Sequence, residues 1–214
     1  MASFGVHKSL LDSASVLLSS QIEHKKHAHG AEYLTCEIGF TMSSAVETYV
    51  HWLYSGKMSG PLAISKPTHT ALHFYHDAFD FAFRIYDLNL MDAVLDQTLA
   101  CIKQAPSPFN RFQELFDLFK MMESPKMLVM QLMLDLAIFF TRETGCILDL
   151  TEATGVFKDF ERDLGRRALT ELSKFGSDKK ADNPFTVDSC VYHKHTAEGL
   201  PCYKEKFAAR SITL

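Results

Sequence analysis

Between Thr70 and Asp87 apolar side chains recur on two sides of one helical projection. Leu72, Tyr75, Phe79, Ala82, Phe83 and Tyr86 mark one side, and Phe74, Ala78, Phe81 and Ile85 mark another. A helix that is apolar over most of its circumference must be surrounded by other elements, so this stretch predicts a central, buried helix. Only the remaining face is polar, and Asp80 and Arg84 stand there at the spacing of an ion pair. A chain built around such a helix folds as layers of helices about a common core. With 214 residues and 47% apolar content it has the material for one.

The flanking segments supply the packing partners. Met42, Ala45, Val46, Tyr49, Val50 and Leu53 follow a helical ladder. Ser44 and Glu47 form a capping-box pattern at its start, and Gly56 stands where a C-terminal glycine cap is expected. Met91, Val94, Leu95, Thr98, Leu99 and Ile102 form a third stripe, ended by Pro106 and Pro108. Phe112, Leu115, Phe116, Phe119 and Met122 predict a further helix, Ser124-Pro125 starts another, and Phe157, Phe160, Leu164, Ala168 and Leu172 mark the last. MLVMQLMLDLAIFF (Met127 to Phe140) is the densest apolar run. Gln131 and Asp135 break it and it is shorter than the ~18–20 residues of a membrane span, so it reads as a core helix, its methionines with it. His24 to Gly30 reads as a polar loop, and Ala31 to Phe40 as extended structure.

The remaining composition narrows the function. Net charge is −4, which gives no global basic field for nucleic acid or anionic lipid. Val16-Leu17-Leu18 is too short for a secretory signal. Five scattered cysteines, an odd number, suggest reduced thiols and an intracellular protein, cytoplasmic or nuclear. No G-x-S-x-G, no Walker phosphate loop and no dinucleotide fingerprint occurs. No catalytic residue is assigned and the expectation is a protein that is not an enzyme.

Several stretches resemble one family. VHKSLLDSAS (Val6 to Ser15) resembles the F-x-V-H-K-x-x-L-x-x-x-S signature of the BTB/POZ domain. VHWLYSGK (Val50 to Lys57) is similar to its F-x-x-[WYF]-[LI]-Y-[ST]-G-x-[LIM] signature, and FDFAFRIYDLNLMDAVLDQTL (Phe79 to Leu99) to its next packed helix pair. The helical segment that follows resembles the extension of many fungal BTB proteins. The resemblance implies a mostly helical α+β fold: a BTB-like helix cluster with a small sheet, then additional helices. Two departures stand out. Ser15 is followed by Val16-Leu17-Leu18 where the family has S-x-[YF]-F. The family's strand before F-x-V-H-K finds no counterpart ahead of Ser3, so the sheet is expected to be truncated at its N-terminal side. The implied division is a BTB-like domain over residues 1–104 and a helical extension over 105–175; after Gly176 the composition turns polar with few apolar residues, so residues 176–214 are expected to be a poorly ordered tail. The implied partners are proteins: a second copy of the chain, and a cullin-type ubiquitin ligase scaffold for which the module would act as adaptor. A degenerate member without a working interface is the other outcome.

The tail contains CVYHKHTAEGLPC, whose Cys190, His193, His195 and Cys202 are two thiols and two imidazoles, a donor set that suits tetrahedral zinc. The spacing C-x2-H-x-H-x6-C matches no standard finger, and the other reading is an exposed tail whose cysteines and histidines touch nothing. His24, His27 and His29 crowd a segment read as a solvated loop. His69, His73 and His76 share helical spacing without the H-E-x-x-H pattern, and read as a partly exposed helix face.

Overall fold

The computed structural model describes residues 6–15, 17–18, 23–26, 32–35, 43–58, 69–120, 127–145, 157–173 and 183–210. They are mostly helical. Helix α1 (Lys8–Ala14) is followed by strands β1 (Glu23–Lys26) and β2 (Glu32–Thr35), which pair antiparallel with Glu23 opposite Thr35 and Lys26 opposite Glu32. Helices α2 (Ser43–Ser55), α3 (His69–Arg84), α4 (Leu88–Gln104), α5 (Pro108–Lys120), α6 (Met127–Thr144) and α7 (Phe157–Ser173) come next. A 3-10 turn (Ser189–Tyr192), the short α8 (Lys194–Glu198) and α9 (Tyr203–Arg210) complete the described chain.

The doubly apolar helix α3 takes the central place expected of it. It packs against α2, α4 and α5, and Leu72, Tyr75, Phe81 and Ala82 are all but closed to solvent. Its polar face carries Arg84 Nε 2.7 Å from Asp80 Oδ2. The chain leaves α3 through a left-handed residue, Tyr86 (φ 56°), and Asp87 N–H returns to the Ala82 carbonyl at 2.9 Å, the long bond of a Schellman turn. Asp87 then caps α4, accepting from Leu90 N–H at 3.0 Å. One apolar cluster extends from Leu18 through Phe112, Phe116, Leu132 and Phe160 to Tyr203. Met133 is buried within it and Met130 packs on its edge.

Asp87 is fully enclosed, and burial, only partly offset by backbone N–H groups and Lys206, pushes its carboxyl from 3.8 up to about 6. The folded state therefore holds this proton more tightly than the unfolded chain. Stability from this group is complete below about pH 4 and is lost as pH rises through 6, on the order of 3 kcal/mol in all. Asn retains the capping oxygen without the charge. Asp87→Asn should therefore melt higher than the native protein at pH 7.5 and lose that advantage near pH 4.5. Paired thermal melts at the two pH values check this.

Gly56 closes α2 in the left-handed region (φ 64°), as its place in the sequence predicts. It also lets α9 approach. A Cβ there would lie 2.2 Å from Phe207 Cδ1 and 2.9 Å from Phe207 Cβ. Phe207 and Tyr203 of α9 cover Trp52, with ring centroids 4.7 and 5.5 Å from it. Gly56→Ala should cost about 2–4 kcal/mol in urea unfolding, from the backbone penalty and the displaced ring together.

Four expectations need correction. The segment beginning at His24 was expected as loop, but Glu23–Lys26 is a strand. Its polar side chains give no alternating apolar signal, and the pairing is carried by the backbone. Ser44 lies one residue inside α2 instead of capping it. The helix from Phe157 is not the last, and the described part of the tail, residues 183–210, packs on the fold. Tyr192, His193, His195, Cys202 and Tyr203 are buried, and the 3-10 turn, α8 and α9 all contact α4. The tail's apolar residues are few and irregularly spaced, but its polar groups find fixed partners on α4. Phe4, which alternates with Val6 as in a strand, lies outside the described residues, and Val6 is not in a strand. Ser124-Pro125 also lies outside the described residues.

Candidate metal centre

Helix α4 presents two aspartates, Asp92 and Asp96, one turn apart. On a solvated face such a like-charge pair is unfavourable. Here both carboxylates are answered by the tail. Phe185 anchors the start of that segment against Phe139 and Phe140, with centroids 5.6 and 6.0 Å away. Asp188 caps the 3-10 turn by accepting from Cys190 N–H at 3.0 Å. The turn buries Tyr192 and delivers His193 as the N-cap residue of α8. His193 and His195 thus need not share a helix face, because His193 stands outside the helix that carries His195. Gly199 ends α8 in the left-handed region (φ 66°) with Leu200 N–H on the His195 carbonyl at 2.9 Å. That reversal carries the chain back to Cys202, at the foot of α9.

The result is a cluster. One candidate ligand atom from each of Cys190, His193, His195 and Cys202 lies within 4.8 Å of all the others. The two Sγ atoms are 3.8 Å apart. That is far beyond the ~2.05 Å of a disulfide. It equals the edge of a tetrahedron with zinc–sulfur bonds of about 2.3 Å, roughly 3.8 Å. Edges involving nitrogen would be about 3.3–3.6 Å, so no separation in the set exceeds the edge of a closed shell by more than about 1.5 Å.

Both imidazoles are oriented from behind. His193 Nε2–H donates to Asp96 Oδ1 at 2.9 Å, and His195 Nδ1–H donates to Asp92 Oδ2 at 2.7 Å. Asp92 Oδ1 also accepts from the Lys194 backbone N–H at 2.7 Å, so one carboxylate fixes both the ring and the start of α8. With those nitrogens committed as donors, Nδ1 of His193 and Nε2 of His195 are left with lone pairs. His193 Nδ1 is buried and has no hydrogen-bond partner. An enclosed acceptor without a donor is costly, and an ion at the centre would satisfy it. A carboxylate behind each ligating histidine is the usual outer arrangement of a metal site.

The electrostatics are consistent with this. Burial alone would raise the Asp96 carboxyl, but hydrogen bonds from His193, Lys204, Ser189 and Tyr203 outweigh it and hold it well below the usual carboxylate range. Tyr203 is raised above its ordinary value by burial and by Asp96, so its hydroxyl remains a donor. Burial, with Asp188 and Cys202 adding to it, pushes the Cys190 thiol up to about 12. A divalent cation between the sulfurs would supply the opposing field. If the cluster holds zinc, Asp96→Asn should weaken its binding about 10–100-fold in competition with a chromogenic chelator, because it loosens His193 without removing a candidate ligand.

In comparisons with protein-family models, with curated proteins and with solved structures, the chain matched none. The reading of the site therefore rests on its geometry. All four residues singled out in the sequence come together. Asp92, Asp96 and Tyr203, which complete the site, were not singled out. The one signal for the aspartates was their like-charge spacing on α4.

Among the described residues no other set of three or more His, Cys, Asp or Glu side chains gathers in this way. His69, His73 and His76 lie on α3, where His73 is exposed and His76 Nδ1 is 3.3 Å from Asp77. His24 lies in β1, and His27 and His29 fall outside the described residues. A shallow opening of about 380 Å³ adjoins the centre, with Asp96, Lys103, Phe185, Ser189 and Lys204 among its walls. Lys204 Nζ donates to Ser189 Oγ at 3.0 Å and pairs with Asp96 at 2.8 Å. Burial would lower the lysine, but the Asp96 carboxylate prevails and holds its ammonium above the ordinary value. Among the described residues, no helix is long and apolar enough to cross a membrane.

Proposed function

We propose that Cys190, His193, His195 and Cys202 hold one zinc ion in a structural role, and that the chain is a non-catalytic protein-interaction module. The observation that carries the metal reading is the pairing of buried histidines, each held by an α4 aspartate, with two sulfurs 3.8 Å apart. Four protein ligands leave no open position, which is the character of a structural zinc and not of a catalytic one. The Ser189–Lys204 contact does not favour an enzyme, because a lysine held protonated by Asp96 is no base for the serine. Native mass spectrometry of the zinc-supplemented chain should show one equivalent bound, and a chain without metal under those conditions would refute the metal reading.

A BTB/POZ-type role is the second part of the proposal: an α+β module that self-associates and adapts substrates to a cullin-type ligase inside the cell. What favours it is that the first motif segment meets both of the others. Tyr54 Oη accepts from His7 N–H at 3.1 Å and lies 3.1 Å from His7 Nδ1. Ser15, the last residue of the first motif, donates to the Ile85 carbonyl within the third. Light scattering behind size exclusion should give a dimer. A strict monomer at high micromolar concentration would instead favour a degenerate relative of that family.

A further inference from the structure

We infer that Cys190 and Cys202 are also a site of reversible disulfide formation, through which a hydroperoxide expels the metal and releases the tail. The inference rests on the zinc reading and assigns that centre a regulation. Its basis is the placing of the two sulfurs. They are neighbours at 3.8 Å and so share an edge of the coordination shell. They differ in access. Cys190 is partly exposed and is followed by Val191, half open to solvent, whereas Cys202 is buried beside Tyr203. Cys101, the other described cysteine, is wholly enclosed between helices and has no access to an oxidant.

The chemistry follows from that asymmetry. The Cys190 thiolate attacks one oxygen of hydrogen peroxide, the O–O bond breaks, and the departing hydroxide takes a solvent proton to become water. Cys190 is then a sulfenic acid. The Cys202 thiolate attacks that sulfur, the S–O bond breaks, and a second hydroxide leaves and is protonated. One S–S bond has formed, and the two electrons given up by the sulfurs have reduced one peroxide to two waters. The sulfurs must close from 3.8 Å to about 2.05 Å. Both sulfur ligands are lost in one event. Two imidazoles do not retain the ion, and His193 Nδ1 returns to a buried state without a partner. The clamp between the tail and α4 is thereby loosened, and Trp52 with it, since α9 covers that ring.

The test uses the full chain, loaded with zinc and freed of excess, in the presence of a chromogenic zinc chelator too weak to strip it. Addition of hydrogen peroxide should release one zinc per chain, with loss of two hydrogens in the intact mass and a Cys190–Cys202 link in the peptide map. Dithiothreitol followed by zinc should restore the starting species, and Cys101→Ala should behave as the native chain does. A chain that takes up no zinc overturns the metal reading before peroxide is added. A zinc-loaded chain that keeps its metal, or releases it without the Cys190–Cys202 link, overturns the redox inference alone.

Discussion

Under the zinc proposal, Cys202→Ser is expected to reduce bound zinc from one per chain to nearly none and to uncouple the tail from α4. Cys202 is buried where α9 begins, so its loss acts on two levels. The ion loses one of two sulfur donors, and the docking of Tyr203 and Phe207 on Trp52 loses its anchor. An ion present at a thousandfold excess over its Kd adds about 4 kcal/mol to folding stability. For a chain of this length that corresponds to a fall in melting temperature of roughly 10 °C. Differential scanning calorimetry with and without a chelator gives the measurement. The native chain in chelator should melt with the variant, and chelator should leave the variant unchanged. His193→Ala should reproduce the loss through a nitrogen ligand, and so separate the metal from any effect peculiar to cysteine.

Leu53→Asp should abolish the cooperative melt altogether. Leu53 is buried on the face of α2 that also carries Tyr49 and Trp52, against the central helix α3. A carboxylate placed there is buried in the apolar cluster, and an unpaired buried charge costs about 3–5 kcal/mol or more. Helix α2 connects α1 on one side with α3 on the other, so the loss spreads to both. Far-ultraviolet circular dichroism through a thermal ramp distinguishes the outcomes. A sharp transition in this variant would mean that the apolar ladder from Ala45 to Leu53 faces solvent.

Helices α2, α3 and α4 were legible because their apolar side chains keep the helical period over three or more turns. Local chemistry was legible too, in Gly56 at the end of α2 and in the Asp80–Arg84 pair. The hairpin was half legible. Glu32–Thr35 carries a strand-like Tyr33, but Glu23–Lys26 pairs with it through backbone groups that leave no trace in side-chain type. The tail was misread as a bystander for a related reason. Tyr192, Cys202 and Tyr203 are buried by two tight turns and a short helix, and such elements impose no period on the sequence.

The candidate site divides in the same way. Its four candidate ligands could be recognised from chemistry alone, because thiols and imidazoles within thirteen residues are few and distinctive. Their supports could not be. Asp96 lies 97 positions before His193, and Asp92 lies 103 before His195. Only the fold brings these together, and it does so by laying the tail along α4. The outer carboxylates are what separate a prepared site from a chance gathering of cysteines and histidines.

X-ray absorption at the zinc edge of the purified chain tests that preparation most directly. The account predicts a four-coordinate ion with two sulfurs at about 2.3 Å and two nitrogens at about 2.0–2.1 Å. A shell made only of light atoms, or one with a single sulfur, would contradict it.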